Sequence, residues 1–338
     1  MNWKNCIEPK SRVVIADTLT SGLKRQIRLS LPRLERRTKD RLARRSMGVL
    51  TVAVTLLVPL MALALLLRAR PIFTAQSLRD LIFSTTWRPL QGAFGFFPFI
   101  MGTLWVTGVG MVIAVPPSLL TAIYIAEYAH PRTRSLVMPV IDLLAGIPSV
   151  VYGVWGMLTV VPFIEKVAAP AVSHSLGFLP LFQATNPTGY GILAGGIVLA
   201  VMVFPIIIAV AEDVLHAVPQ GLREASLSLG ATRWQTVRRV VLRRAWPGVM
   251  ASIVLGFSRA FGETMAVLMV VGNVPQVPRS IFDAAYPLTA LIANNYGEMM
   301  SIPLYDAALL CGALILLLIV LIFNLISRLI LVRLVGRE

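Results

Sequence analysis

Two oppositely charged residues interrupt an apolar stretch of the chain at a spacing that suggests a function. Arg259 and Glu263 lie four positions apart in the apolar run Pro247–Gly272, so on a helix they share one face and can pair. A charged side chain at the bilayer centre costs roughly 2.5–3.5 kcal/mol, and such residues usually face other helices or an aqueous path. The two residues are therefore either part of a substrate path or a structural ion pair between helices.

The sequence offers little for other chemistry. No G-x-x-x-x-G-K-[ST] segment occurs, so the chain has no P-loop of its own. Its three histidines (His130, His174 and His216) lie in loops or near the ends of apolar runs and suggest neither a metal cluster nor a catalytic triad. Asp142 lies in an apolar run but has no partner of the G-x-G-D type that an intramembrane hydrolase needs. We expect no enzymatic activity, no cofactor and no bound metal.

A basic segment with clear helix signals lies between two apolar runs. Arg223–Gly248, REASLSLGATRWQTVRRVVLRRAWPG, holds six arginines and one glutamate. A helix that begins after Pro219 would end at Gly230, since glycine readily adopts the left-handed conformation that follows many helices. Thr232 and Gln235 then fit the capping box of a second helix. The pattern predicts a helix, a glycine turn and a second helix.

Three interpretations of this segment compete. A solvated loop explains the arginines but not the paired stop and start signals. A DNA-binding helix-turn-helix explains both, yet membrane spans within a few residues of its ends would restrict docking into a groove, and we expect no nucleic-acid partner. A docking element for a cytoplasmic protein explains all of the features, because small Ala225 and Ser226 allow another backbone to approach closely.

The elements that carry these residues are those of a polytopic membrane protein. The 338 residues are 57% hydrophobic and only 14% charged, whereas soluble domains carry about 25% charge. The first long apolar run is expected to be an uncleaved anchor, because it is long for a signal peptide and 46 residues precede it. We predict an all-α membrane protein with six transmembrane helices, each longer than roughly 18 residues: Met47–Leu67, Phe99–Ala126, Leu136–Ile164, Tyr190–Ala211, Pro247–Gly272 and Ala307–Ser327.

The distribution of Lys and Arg predicts the orientation. Of 31 such residues, 24 fall in the N-terminal segment, in alternate connections that include the Arg223–Gly248 segment, and in the C-terminal tail. These parts are therefore cytoplasmic. Arg259 falls 13 residues into its run, which places it about 18–20 Å along a helix and past mid-membrane towards the outside. The basic residues 1–46 are expected to form a cytoplasmic arm that is solvated or lies on the membrane, or else has an anionic-lipid or regulatory role.

Glycine and proline mark further irregularities. GIPSVVYG, Gly146–Gly153, predicts close packing or a local break inside the third apolar run. The outer segments Trp87–Phe99 and Pro275–Pro287 are rich in proline and aromatic residues and poor in charge. They are expected to fold back on the membrane surface or to receive a partner.

The basic segment also resembles a known motif. Glu224-Ala225-Ser226 with Gly230 six residues after the glutamate is similar to the EAA motif of ABC importer permeases. In that family the motif forms the coupling helix, which seats in a groove of the ATPase subunit. Ser226 replaces the second alanine, and Leu242-Arg243 stands where the family commonly has Leu-Pro.

Four further segments make the resemblance more specific. IDLLAGIPSVVYGVWG (Ile141–Gly156), SRAFGETMAV (Ser258–Val267), PFIMGTL (Pro98–Leu104) and LTALIA (Leu288–Ala293) together resemble the phosphate-specific importer permeases. They resemble the C-type of the two permease subunits most closely. The resemblance runs from about Trp87 to the C-terminus.

The resemblance implies a type I ABC importer permease (MetI-like). Residues 1–46 would be the cytoplasmic arm, 47–67 the first transmembrane helix, 68–98 an extracytoplasmic loop and 99–331 the permease core, with the EAA loop at about 212–246. Arg259 and Glu263 would lie on the path of inorganic phosphate, while Glu224, Ala225, Ser226 and Gly230 would couple the chain to an ATPase.

The expected partners are a second permease subunit, two copies of an ABC ATPase and an extracytoplasmic phosphate-binding protein, in the inner membrane of a prokaryotic cell. Two alternatives remain open at this point. The chain would be a permease for another oxyanion, such as molybdate or sulfate, or a membrane anchor that holds a cytoplasmic partner without moving solute.

Overall fold

The computed structural model describes residues 32–183, 186, 188–297 and 302–335. Six helical spans in this part of the chain are long and apolar enough to cross a membrane, and we number them first to sixth in chain order. They are Lys39–Arg68, Phe97–Tyr128, Ser149–Ser175, Ile192–His216, Arg233–Gly262 and Pro303–Arg333. The first span belongs mostly to one compact unit that ends at Leu63, and the other five belong to a second, Ala64–Glu338.

Shorter elements connect the spans. The helices outside the spans are Arg70–Ala75, Leu78–Phe83, Pro131–Ala145, Gln220–Ser228, Met265–Leu268 and Leu288–Asn295. The first and sixth spans lie in the longer helices Pro32–Arg68 and Pro303–Val335. Strands Trp87–Arg88 and Ala93–Phe94 pair antiparallel. Turns of 3₁₀-helix occupy Pro89–Gln91 and Pro180–Phe182, and π-helical turns occupy Tyr124–Tyr128, Gly156–Val160, Ile164–Ala168 and Val237–Val241.

The fourth span lies at the centre of the second unit, since 67% of its most apolar window is buried, against 33% or less in the other spans. Small residues bring its neighbours close. A Cβ added to Gly196 would lie 3.3 Å from the backbone nitrogen of Gly110 in the second span, and one added to Gly256 of the fifth span would lie 2.8 Å from Ile207. Such glycines permit the tight helix contacts that membrane bundles depend on. The first, second, fourth and sixth predicted runs each coincide with one of these spans, and their ends differ by about one to eight residues.

The third predicted span, Leu136–Ile164, is displaced in the structure, where the third span is Ser149–Ser175. The chain forms one helix, Pro131–Ala145, leaves the helical conformation around Gly146 and Pro148, and begins the third span at Ser149. Proline removes a backbone donor and disfavours the helical conformation of the residue before it. The local break expected in GIPSVVYG is therefore confirmed, and it leaves Asp142 exposed on the helix before the span.

The predicted fifth run, Pro247–Gly272, is also displaced. The helix that begins with the capping box continues without interruption into the fifth span, which runs from Arg233 to Gly262. Glu263 then leaves the helix with φ −73° and ψ 129°. The second helix of the basic segment is thus the first part of the fifth span.

The outer segment Trp87–Phe99 folds back on the protein. Its two short strands enclose a turn at Gly92, which has a φ of +72°. The ring of Trp87 lies 4.7 Å from that of Phe99 and 6.1 Å from that of Tyr305 in the sixth span. Phe94, Phe96 and Phe99 are all buried. An aromatic core therefore fixes this loop to the starts of the second and sixth spans.

Candidate functional site

Arg259 lies on an exposed face of the fifth span. Ala251, Leu255, Arg259 and Gly262 form an exposed stripe, while the opposite face, with Gly256, is buried against the fourth span. Among the residues that the structure describes, Arg259 has no ion-pair or side-chain hydrogen-bond partner. Within the described part of the chain, an unpaired guanidinium therefore projects from the last turn of an apolar helix.

The ion pair between Arg259 and Glu263, one of the two alternatives that their spacing left open, does not form in this structure. The helix that would place them on one face ends at Gly262. The Glu263 carboxylate instead accepts the backbone N–H of Ala266 at 3.2 Å, and its carbonyl accepts the Thr289 hydroxyl at 3.1 Å. Glu263 therefore stabilises the start of the helix Met265–Leu268, which leaves the charge of Arg259 available.

The breaks before the third span and after the fifth span lie close together. A Cβ added to Gly153, in the first turns of the third span, would lie 3.2 Å from the Cα of Ala266. Next to it, the Tyr152 hydroxyl reaches back across the first break and donates to the carbonyl of Leu144 at 2.8 Å. Non-helical backbone at membrane depth is tolerated where protein or an aqueous cavity satisfies it, so this region is suited to a polar path.

The basic segment Arg223–Gly248 has the local structure that its sequence predicts around the glycine turn. A helix runs from Gln220 to Ser228, and Gly230 follows it with a φ of +82°. The N–H of Ala231 donates to the carbonyl of Ser226 at 3.3 Å and the N–H of Gly230 to that of Leu227 at 2.9 Å, the pair of bonds that defines a Schellman motif. The capping box of Thr232 and Gln235 is present with both of its hydrogen bonds.

The two faces of the helix Gln220–Ser228, which we call the docking helix, differ in character. Gly221, Glu224, Ala225 and Ser228 are exposed at the spacing of one helical face. Ser226 lies on the other side, half-buried, and its hydroxyl is 2.9 Å from that of Thr236. The small side chain of Ser226 therefore allows close packing within the chain, whereas the exposed face is the one open to a partner.

Two buried carboxylates that the sequence analysis did not single out lie near the ends of the second and fourth spans. Glu127, at the end of the second span, is 2.6 Å from Arg223. Glu212, in the last turns of the fourth span, is completely buried and lies 2.7 Å from Arg134. In the sequence, each of the two is an acidic residue at the end of an apolar run that a connection with arginines follows. Their arginine partners are 96 and 78 residues away, so no local pattern could identify the pairs.

The second outer segment borders an open cavity. A space of about 1140 Å³ lies between the loop before the fourth span and the loop after the fifth, and Gln276 and Arg279 are among its polar lining residues. Asp283 fixes the loop by accepting the backbone N–H groups of Arg279 and Ser280 at 2.8 and 2.9 Å. Pro275–Pro287 thus forms a structured rim of this cavity.

Comparison with known proteins relates these features to one family. Residues 114–336 match the family described as the binding-protein-dependent transport system inner membrane component. The chain is 39% identical over 251 residues to the probable ABC transporter permease protein YqgH of Bacillus subtilis, which covers 74% of this chain and 76% of that protein. It is 38% identical over 255 residues to the phosphate transport system permease protein PstC of Pasteurella multocida, which covers 75% of this chain and 79% of that protein.

Among solved structures, the chain resembles a bacterial alginate ABC transporter in complex with an alginate pentasaccharide-bound periplasmic protein. The TM-score is 0.50 at 18% identity, and the match covers 84% of this chain and 94% of that chain. At this identity the likeness concerns the fold alone.

Proposed function

This chain belongs to the family of inner membrane components of binding-protein-dependent transport systems, and on that premise we propose that it is a permease subunit of an ATP-driven importer of inorganic phosphate. Permeases of this family are multi-pass membrane proteins that work with a separate ATPase and a substrate-binding protein. In the proposal, the chain forms half of the phosphate path and couples it to the ATPase.

The observation that carries the proposal is the exposed, unpaired Arg259 on the fifth span. If that face met lipid, the charge would cost roughly 2.5–3.5 kcal/mol at the membrane centre. An aqueous path that admits an anion, closed on its other side by a second permease subunit, removes this cost. Phosphate carries one to two negative charges near neutral pH, and a guanidinium meets its oxygens in a bidentate fork.

The choice of phosphate over another oxyanion rests on the relatives. The curated proteins from Pasteurella multocida and Haemophilus influenzae that match at 38% identity are described as phosphate transport system permeases. A guanidinium would also bind sulfate or molybdate, so the alternative of another oxyanion is tested by competition.

The docking helix is the proposed contact with the ATPase. Its exposed face combines Gly221, Ala225 and Ser228 with the single carboxylate of Glu224, so a groove on the partner can approach the helix backbone. Two ATPase copies would be engaged, one by this helix and one by its counterpart on the second permease. The phosphate-binding protein would dock at the outer loops, where the cavity rimmed by Pro275–Pro287 lies.

The turn after the docking helix provides a test of the coupling role. A Cβ added at Gly230 would meet nothing within 4 Å, so a substitution is opposed only by the left-handed backbone, at about 1–2 kcal/mol for an L-residue. We expect Gly230→Val to weaken ATPase co-purification roughly 5- to 30-fold and to lower uptake. Gly230→Asn is the matched control, because asparagine tolerates this conformation. Wild-type co-purification of Gly230→Val would contradict the role of the turn.

The proposed orientation puts both termini and the docking helix in the cytoplasm. A topology reporter inserted after Pro219 or fused to the C-terminus should therefore report the cytoplasm. A reporter at Gln91 or Gln276, both exposed in the connecting loops, should report the outside. The opposite result at any one of these four positions would show that the number or order of the spans is wrong.

The function itself is tested by deletion. A strain that lacks this chain should lose high-affinity uptake of radiolabelled phosphate and regain it when the chain is supplied from a plasmid. A membrane anchor that moves no solute predicts unchanged uptake in the deletion strain, and that result would contradict the proposal.

A further inference from the structure

We propose that Glu127 is a positioning residue that locks the docking helix to the second and fourth spans, so that movement of the ATPase is passed directly to both. The inference rests on the proposed function for its transport consequence, but its structural part stands on contacts within this chain. Glu127 belongs to the second span, and the docking helix is more than 90 residues later in the sequence.

Glu127 and Arg223 form a buried, bidentate ion pair. The guanidinium Nε of Arg223 donates to both carboxylate oxygens, at 3.1 and 3.2 Å, and its Nη2 donates to Oε1 at 2.6 Å. The side chains are only 7% and 18% exposed, respectively. This geometry fixes the direction of both side chains, so the position of the docking helix depends on that of Glu127.

Arg223 also binds the end of the fourth span. Its Nη2 donates to the carbonyl of Leu215 at 2.8 Å, and its Nη1 donates to the carbonyl of Val218. Carbonyls at a helix C-terminus lack partners within the helix and carry partial negative charge, so a guanidinium is well placed there. One side chain of the docking helix therefore holds two spans at once.

A second arginine approaches Glu127 from the other side of the glycine turn. The Nη2 of Arg233 donates to the backbone carbonyl of Glu127, and its guanidinium lies 5.0 Å from the centre of the Tyr128 ring. Glu127 and Tyr128 belong to a π-helical turn that ends the second span, and such turns are frequent at functional sites. This π-helical turn thus contacts Arg223 within the docking helix and Arg233 after it.

A parallel contact links the remaining cytoplasmic helix to the fourth span. Arg134, on the helix Pro131–Ala145, lies 2.7 Å from Glu212, and it also contacts His216 at 3.1 Å. Within the described part of the chain, the ion pair and hydrogen bonds of these three side chains do not reach the docking helix. The Glu127 cluster is therefore the direct connection, while the Glu212 pair fixes the helix that leads into the third span.

Stability alone does not account for this arrangement. Buried ion pairs are often no more stabilising than apolar residues of similar size, but removal of one partner is strongly unfavourable, and their best-attested use is to specify one arrangement. Here the arrangement specified is that of the docking helix on the two spans. Because the ion pair fixes the docking helix to the second and fourth spans, a displacement of the helix moves these spans. The helix does not tilt or slide against them.

The test is made on the full importer, reconstituted in proteoliposomes with its binding protein. Glu127→Gln keeps the size of the side chain and removes its charge. We expect the complex to assemble and to hydrolyse ATP, but to use roughly tenfold more ATP for each phosphate imported. Glu127→Asp, which retains the charge, should restore part of the coupling. Asp213→Asn is the matched control, because Asp213 is an exposed carboxylate next to Glu212, and it should leave the ratio unchanged.

A second measurement reports on position without transport. A spin label on Leu229→Cys, a position that is 89% exposed beside the glycine turn, should become more mobile in Glu127→Gln than in the otherwise wild-type chain. Unchanged label mobility, or a wild-type ratio of ATP to phosphate in Glu127→Gln, would overturn the inference. If the wild-type importer moves no phosphate, the proposed function is refuted. The label measurement then still tests whether Glu127 positions the docking helix.

Discussion

Replacement of Arg259 by glutamine is expected to abolish phosphate uptake while the importer still assembles. The variant loses a bidentate, charge-assisted contact, in which each hydrogen bond contributes about 1.5–3 kcal/mol. The rate of uptake should therefore fall roughly a hundredfold or more. Assembly should persist, because Arg259 is exposed and its helix packs through the opposite face. Radiolabelled phosphate uptake and co-purification of the other subunits measure the two effects separately.

Three further variants distinguish a role of Arg259 in the phosphate path from a purely structural role. Arg259→Lys should restore uptake only in part, because a point charge replaces the planar fork. Arg79→Gln, at an exposed arginine in the outer loop, is the matched control and should transport normally. The double change of Arg259 and Glu263 to leucine leaves no unpaired charge, yet we expect it to assemble without transporting. Uptake near wild type in this double variant would contradict the path role of Arg259.

Replacement of Ala225 by aspartate is expected to abolish both transport and ATPase binding. Ala225 lies on the exposed face of the docking helix, so an aspartate there would be buried without a partner when the ATPase docks. An uncompensated buried charge costs about 3–5 kcal/mol, which corresponds to a loss of affinity of more than a hundredfold.

The matched control at this position is Ala225→Ser, which keeps the side chain small and should retain ATPase binding. Both variants should insert in the membrane at wild-type levels, since the docking helix lies outside the spans. Full uptake and normal co-purification by Ala225→Asp would show that this face does not contact the ATPase.

The features that the sequence predicted well are those set by local interactions. The apolar runs located the first, second, fourth and sixth spans, and the Thr232–Gln235 capping box and the left-handed Gly230 are both present. The break near Pro148 was expected because a proline and a glycine act on the backbone directly. Each of these signals lies within a few residues of the structure that it determines.

The features that the sequence did not predict depend on distant contacts. The fifth span ends at Gly262 although no proline follows, because the hydroxyl of Thr289 and the Glu263 side chain satisfy backbone groups at the break. The helical spacing of Arg259 and Glu263 therefore allowed an ion pair that does not form in the structure. The ion pair of Glu127 with Arg223 was missed for the same reason, because Arg223 reaches Glu127 only through the tertiary fold.

The central claim, that this chain carries phosphate through a path that contains Arg259, is tested most directly by competition in proteoliposomes. The complete importer is supplied with ATP, its binding protein and radiolabelled phosphate, with an excess of unlabelled phosphate, sulfate or molybdate. We predict that unlabelled phosphate suppresses uptake, that the other two anions do not, and that Arg259→Gln shows no ATP-dependent uptake under any condition. Uptake that sulfate or molybdate suppresses as strongly as phosphate, or that survives in Arg259→Gln, would contradict the claim.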